Sequence, residues 1–370
     1  MKRVATVMII AVLALLSLGL VMLYSVSPPH ASMRFLSRQL VAGGLGMVGA
    51  VAMVVVGYRR LRYVSVVFYL LALVLLAAVL VVGVEVHGAR RWFRFGGIQF
   101  QPSDFAKLAL VLVLAHYCAH CQSLMRTFRR GLLYPGLIAA PVLVLVFREP
   151  DWGTAILLGC VTMVMLLVAG VRWGYVVIPA VIGGAVLGAM LAVNPVRSDR
   201  IYSWLHLEET RDGVGYQAWR AREALNRGSL LGVGLNQSRE KALLPEHQTD
   251  FIFAIIAEEF GFVGSVVVVG LFLAFFLSGI VASWRAPDAF GMLLGTGISF
   301  LIGLQALINL MVVSGAAPNK GLALPFISYG GSNLAMMLLC TGVLVSIALA
   351  GSPGAIVQVG LAESEETATA

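Results

Sequence analysis

The sequence predicts an all-α integral membrane protein with ten transmembrane helices and one large extracytoplasmic loop between helices 7 and 8. Three observations carry this reading. Of 370 residues, 59% are hydrophobic and only 12% charged, with a mean hydropathy of +0.92. An ordinary soluble domain is about 25% charged, so 26 basic and 18 acidic side chains are too few to cover a soluble surface of this size. Apolar runs near the ~20 residues that cross a bilayer recur along the chain. A single long polar segment, 194–249, interrupts them. These features exclude a soluble enzyme, a disordered chain and a disulfide scaffold. The four cysteines, Cys118, Cys121, Cys160 and Cys340, lie in or beside apolar runs and suggest no pairing framework.

Lys2 and Arg3 precede the first run, 4–26. It exceeds the ~7–15-residue core of a signal peptide and has no small-x-small cleavage site after it, so it reads as a first span. Runs at 40–57, 63–86, 103–120, 132–147, 152–171 and 174–193 supply helices 2 to 7. Those at 250–282, 289–313 and 332–350 supply helices 8 to 10. Pro135 and Pro141 blur the ends of the fifth. An even number of spans puts both termini on one side. The bias of basic residues makes that side cytoplasmic, but weakly: ten lie in the inner segments and seven in the short outer ones. Acidic residues gather at the outer face instead. The net charge of +8 therefore suggests an anionic ligand outside the membrane and no nucleic-acid partner.

Residues 1–351 form one polytopic membrane domain in this reading, and the polar tail 352–370 is a disordered cytoplasmic segment. Within 194–249, residues 216–227 read as a short helix with Ala218, Ala221, Ala224 and Leu225 along one side. Gly228, Gly232 and Gly234 end it and mark turns.

Four stretches carry chemistry. In the first, Pro245-Glu246-His247-Gln248-Thr249-Asp250, Asp250 falls in the first turn of the eighth span, with Thr249 as its cap. It is either part of that cap or a partly desolvated general base at a cavity rim. Glu258 and Glu259, two turns deeper, are costly at that depth unless functional or paired. In the second, Arg90-Arg91-Trp92-Phe93-Arg94, three arginines and a tryptophan suit a ligand carrying a diphosphate and a sugar. An interfacial belt would look the same. Asp104 and Lys107 follow, three apart on one helix face. The third, Arg148-Glu149-Pro150-Asp151, places Asp151 where it either caps the sixth span or ligates a cation. The fourth, 318–333, is rich in Gly and Pro at membrane depth, where irregular backbone must be buried or line a cavity. Gln305 and Asn309 on the preceding helix are placed to satisfy it. His116, Cys118, His120 and Cys121 match no usual zinc spacing.

Together these stretches resemble the SEDS family of bacterial cell-wall polymerases, the FtsW, RodA and SpoVE proteins, over about residues 4–351. The most specific signature is Lys320-Gly321-Leu322 followed by Leu324-Pro325-Phe326-Ile327-Ser328-Tyr329-Gly330-Gly331-Ser332. Lys320-Gly321 with Gly232-Val233-Gly234-Leu235, Ser238 and Lys241 is closer to the FtsW branch. The resemblance implies a ten-span fold with cytoplasmic termini in the bacterial inner membrane, at the division septum. It implies polymerisation of lipid II onto an undecaprenyl-diphosphate-linked glycan, alongside a class B penicillin-binding protein and other divisome membrane proteins. The family's essential aspartate falls on Asp250, its tryptophan on Trp92, and its acidic position after Gln-Pro-Ser on Asp104, where Asp replaces Glu. The family's histidine is displaced here by one position, to His247. Asp250 is thus expected to be catalytic. Trp92, Arg90, Arg91, Arg94, Lys320, Ser328 and Tyr329 are expected to bind substrate. Asp104, Lys107, Asp151, Glu246, Glu258, Glu259, Gln305 and Asn309 are expected to support them. The leaving diphosphate is neutralised by Arg90, Arg91, Arg94, Lys320 or a Mg²⁺ or Mn²⁺ ion, and no organic cofactor is expected. A lipid II flippase and the elongation-type polymerase are the competing readings.

Overall fold

The computed structural model describes residues 1–27, 32–86, 88–95, 98–193 and 195–351. The expected disordered tail, 352–370, lies outside the described residues. In chain order the helices are α1 (Lys2–Val26), α2 (Ser32–Val56), α3 (Tyr58–Val82), α4 (Pro102–His120), α5 (Tyr134–Arg148), α6 (Trp152–Val168), α7 (Trp173–Val193), α8 (Pro195–Leu205), α9 (Tyr216–Gly228), α10 (Ile252–Trp284), α11 (Ala289–Val313) and α12 (Gly331–Ala350). A π-helical turn, Arg129–Leu133, leads into α5. Among the described residues, eight helices are long and apolar enough to cross a membrane: α1 to α5 and α10 to α12. Trp152–Val168 and Trp173–Ala185 are shorter apolar helices.

Packing follows composition. Helix α4 is buried around nearly its whole circumference from Pro102 to Ala115 and is enclosed by α3, α5, α6, α11 and α12. A helix buried on every side has no wet face for charge, so its Asp104 and Lys107, both 4% exposed, must be satisfied inside the bundle. Helix α2 lies along α12 and α1 along α10. Valines and leucines on the outer faces of α2, α3 and α10 are exposed, as lipid-facing surfaces require.

Contacts between helix ends give the bundle two chemically distinct ends. At one end, the Tyr58 hydroxyl and Arg59 Nε donate to Asp288 Oδ2, and Asp288 Oδ1 caps α11 by accepting from the Gly291 amide at 2.8 Å. The Tyr58 amide reaches Ser346 Oγ at 3.0 Å, so this end ties α3, α11 and α12 together. The opposite end collects the C-termini of α1, α3, α5 and α11, the N-termini of α4, α6, α10 and α12, and the polar segments.

The structure departs from the sequence reading in three places. Residues 84–100 form a three-stranded antiparallel sheet: β1 (Val84–Val86), β2 (Ala89–Phe95) and β3 (Ile98–Phe100) in the order β1-β2-β3. The register skips Arg91, since Glu85 pairs with Arg90 and Val84 with Trp92. Such a bulge re-aims a side chain. Second, Asp250 lies in the turn before α10 and does not cap it: the helix begins at Ile252 after Phe251, with no side-chain cap. Thr249 Oγ bonds instead to the Glu246 carbonyl and carboxylate.

Third, α10 is broken at Gly261 (φ 68°, ψ −162°). The break releases the carbonyls of Glu258 and Glu259 and the amides of Phe262 and Val263. Loop 229–234 takes all four: Val233 N to Glu258 O (2.9 Å), Gly234 N to Glu259 O (3.0 Å), Phe262 N to Ser229 O (2.9 Å) and Val263 N to Leu230 O (3.2 Å). The approach is close enough that only glycine fits. A Cβ on Gly232 (φ 84°) would lie 2.1 Å from the Glu259 carbonyl oxygen.

Gly232→Ala is therefore expected to destabilise the protein by ~1–3 kcal/mol, the usual range for a non-glycine residue forced into strained backbone. Gly184→Ala, in open space on α7, should be close to neutral. Thermal unfolding of both variants in detergent checks this.

Candidate functional site

The polar end of the bundle is built around two irregular segments, 244–251 and 314–330, which pack on each other. Segment 314–330 doubles back beside the last turns of α11. Asn309 Nδ2 donates to Leu322 O (2.7 Å) and Asp250 O (2.8 Å), and Gln305 Nε2 donates to Ala323 O (2.8 Å) and Asn333 Oδ1 (3.3 Å). Ser328 Oγ donates to Thr249 O and accepts from the Leu324 amide, and the Tyr329 amide donates to Gln248 O at 2.9 Å. The segment reaches well inside the bundle: Leu324, Phe326 and Ile327 are fully buried, and a Cβ on Gly19 of α1 would lie 2.8 Å from Ile327 Cα.

A second polar chain runs behind it. Lys107 Nζ donates to Asp104 Oδ1 (3.0 Å) and Gln305 Oε1 (3.1 Å), and Ser332 Oγ donates to Asp104 Oδ2 (2.6 Å). Each charge of this buried pair is thus matched and further hydrogen-bonded, the condition under which burial of two ions is tolerated. Gln305 joins the two chains, so α4, α11, α12 and the re-entrant segment form one connected network.

Asp250 sits where these elements meet. Its residue is half-buried, and its carboxylate makes no hydrogen bond or ion pair among the described residues. Gly321 lies directly against it, since a Cβ there would come 2.6 Å from Asp250 Oδ2. Burial first, then the negative charges of Glu246 and Asp151, push its pKa up to about 7, with Arg91 opposing. A carboxylate that is reachable, unengaged and titrating near neutrality has the properties of a general base.

Arg91 approaches from the bulge in β2. Its Nε donates to Glu149 O (2.7 Å) and its Nη2 to Pro150 O (2.8 Å), the carbonyls at the C-terminal end of α5. It forms no ion pair among the described residues. Asp151 caps α6 by accepting from the Thr154 amide (3.2 Å), and its other oxygen accepts from Gln101 Nε2 (3.3 Å). Lys320, next to Gly321, is likewise without an ion pair among the described residues. Burial lowers its pKa, with Arg200 adding to the effect and Cys160 opposing.

Other expected site residues lie apart from Asp250 or are already engaged. Arg90 and Arg94 are exposed on the sheet, with Arg90 paired to Glu85 at 3.5 Å. Trp92, half-buried, has the Arg91 guanidinium 6.0 Å from its ring centre. Ser328 is 3% exposed with both hydrogen-bonding roles taken, so it holds the segment together and is closed to substrate. Tyr329 packs edge-on against Phe35 at 5.1 Å. Glu258 accepts from Ser238 Oγ, Arg239 N and Glu240 N, and Glu259 accepts from Ser25 Oγ at 2.7 Å. Both are internal ties that dock the polar loop and α1 on the broken helix. His247 places Nδ1 2.7 Å from Leu244 O and Nε2 3.3 Å from Val26 O, which fastens this turn to the end of α1.

One residue was missed by the sequence reading. Glu149 has no exposed surface and no hydrogen bond to either carboxyl oxygen. The only sequence signal was three charges in a four-residue turn. No group of three His, Cys, Asp or Glu side chains able to hold a metal ion occurs among the described residues. His116 Nδ1 lies against Ser65 Oγ instead.

Comparison with known proteins places this geometry in context. The model of a cell cycle protein family, FTSW_RODA_SPOVE, matches residues 5–352. A probable peptidoglycan glycosyltransferase FtsW of Trichlorobacter lovleyi is 35% identical, with 92% of each chain covered. The stage V sporulation protein E of Bacillus subtilis is 37% identical over 92% of this chain and 95% of its own. Among solved structures, a chain from a peptidoglycan synthase complex that coordinates polymerization and crosslinking superposes with a TM-score of 0.80 at 31% identity, covering 92% of this chain and 96% of that one. The rod shape determining protein RodA of Thermus thermophilus gives a TM-score of 0.70 at 30% identity, covering 92% and 95%.

Removing one partner of the Asp104–Lys107 pair strands the other. Lys107→Met should cost ~3–5 kcal/mol, while Asp104→Asn combined with Lys107→Met should recover most of it. A double-mutant cycle on thermal unfolding reads the difference.

Proposed function

The chain belongs to the FtsW, RodA and SpoVE family of cell cycle proteins, and on that premise we propose that it is a multi-pass membrane peptidoglycan glycosyltransferase that polymerises lipid II into glycan strands during cell division. The observation that carries the mechanism is the unengaged, half-buried Asp250 carboxylate held against Gly321 and titrating near neutrality.

Asp250 takes the proton from the 4-hydroxyl of the GlcNAc of an incoming lipid II. The resulting oxygen nucleophile attacks C1 of the MurNAc on the growing strand. The bond from C1 to the diphosphate breaks with inversion, and undecaprenyl diphosphate leaves with its electron pair. Diphosphate is a good leaving group once its charge is met by preorganised donors, so no protein acid is required. Arg91 and Lys320 have no ion pair among the described residues, and they take that role. A Mg²⁺ or Mn²⁺ ion bound through the diphosphate oxygens would add to that neutralisation; no group of three His, Cys, Asp or Glu side chains able to hold it occurs among the described residues. Trp92, Arg90 and Arg94 on the sheet then meet the sugar and lipid headgroup further out.

Ten passes, eight long helices plus α6 and α7, put both termini in the cytoplasm and segment 194–249 outside, at the division septum of a bacterial inner membrane. Similarity to a chain of a peptidoglycan synthase complex supports a crosslinking partner, a class B penicillin-binding protein, together with other divisome membrane proteins. The flippase reading is disfavoured by where the reactive groups lie. Asp250, Arg91 and Lys320 cluster at one end of the bundle, away from the midplane site that transporters use.

The test is polymerisation of lipid II by the reconstituted protein with its transpeptidase partner. Asp250→Asn should lower the rate at least ~10²-fold, the lower end of general-base contributions, without loss of folding. The base works deprotonated, and its pKa is raised to about 7. The wild-type rate should therefore fall as pH drops through about 7 and level off above it. An Asp250→Asn enzyme with wild-type rate would remove Asp250 from the mechanism.

A further inference from the structure

Glu149 terminates α5, and the mechanism above leaves it unused. Among the described residues it is the only carboxylate with both oxygens buried and neither hydrogen-bonded. A buried charge without partners is far costlier than a buried neutral acid. Its neighbours do not rescue the charged form. Asp151 from the start of α6 and Asp104 from α4 repel it, and Asp104 is itself engaged by Lys107. The one cation facing it, Arg91 from β2, directs its donors to the backbone carbonyls of Glu149 and Pro150 and passes over the Glu149 carboxyl. Burial, reinforced by Asp151 and Asp104 and opposed by Arg91, pushes the carboxyl up to about 9.

We propose that Glu149 is a positioning residue that functions as the neutral acid: by staying uncharged beside Arg91 it keeps the guanidinium seated on the two carbonyls, with its charge available to an anionic diphosphate. An ionised Glu149 would instead draw Arg91 into an internal ion pair and cancel the positive charge next to Asp250. Arg91 and Asp151 act electrostatically on both Glu149 and Asp250, so the charge that an ionised Glu149 would cancel is one that Asp250 also faces. Raising the pH above the Glu149 transition should then weaken diphosphate binding while Asp250 remains in its working, ionised form. This rests on the diphosphate-handling part of the proposed function, and its test does not require turnover.

The experiment uses the full chain in lipid nanodiscs, with farnesyl diphosphate as the probe. Infrared difference spectra of wild type against Glu149→Gln should show a protonated-carboxyl C=O band at pH 7 that titrates away near pH 9. Farnesyl diphosphate should bind wild type and Glu149→Gln comparably at pH 7. Above pH 9 its affinity should fall about tenfold per pH unit for wild type, as for any single blocking ionisation, and stay level for Glu149→Gln. Arg91→Ala should bind weakly at every pH, without the alkaline loss. The proposal is overturned if the band is absent, if wild type and Glu149→Gln share one pH profile, or if Glu149→Gln fails to bind at pH 7 while its thermal unfolding is unchanged. A protein that behaves as expected with the probe but makes no glycan would refute the polymerase reading and leave this one standing.

Discussion

Backbone amides and carbonyls inside a membrane protein have no water to turn to, so every non-helical segment at depth must find its partners in the protein. Two such segments define this molecule. Segment 314–330 is stitched by Gln305, Asn309 and Ser328, and loop 229–234 is stitched by the four groups that the break in α10 releases. Asp250 stands beside the first. Its own carbonyl is held by Asn309 and that of Thr249 by Ser328, so its position follows from how that segment is satisfied. The buried pair of Asp104 and Lys107 matters for the same reason: through Gln305 it fixes the rotamer that the re-entrant backbone needs.

Three acids close to one another meet different fates, and the competition between burial and partners decides each. Asp104 is nearly inaccessible, yet it has Lys107 and Ser332, so it stays as one half of a matched pair. Glu149 is equally buried with no partner, and burial wins, pushing it to about 9. Asp250 is pushed up to about 7 by burial and by the charges of Glu246 and Asp151, with Arg91 opposing, and there a carboxylate is basic enough to accept a proton. Charges pushed apart in this way by environment alone mark a site that handles protons.

Much of this could be read from the chain, and the failures have physical reasons. Hydrophobic runs located the apolar helices. The three-residue spacing of Asp104 and Lys107 put both on one face of α4, and the four-residue spacing of Gln305 and Asn309 aimed both at 318–333. The glycines at 232 and 234 marked turns. What escaped depended on distant partners. Gly261 alone does not break a helix; the break exists because loop 229–234 accepts its unpaired groups. The strands at 84–100 are short, and a bulge at Arg91 spoils their alternation. Ser328 looked like a ligand-facing hydroxyl because nothing local shows that Thr249 and Leu324 occupy it. Glu149 escaped because its burial comes from elements around it, which the local sequence does not show.

The central claim is that segment 318–330 and Asp250 form one site whose geometry sets the reactivity of the carboxylate. Gly321→Ala tests it most directly. The added methyl would fall 2.6 Å from Asp250 Oδ2, so glycan synthesis with the partner present should drop at least ~10-fold, matching a displacement of the reacting group, with thermal stability little changed. A Gly321→Ala protein that polymerises at the wild-type rate would contradict it.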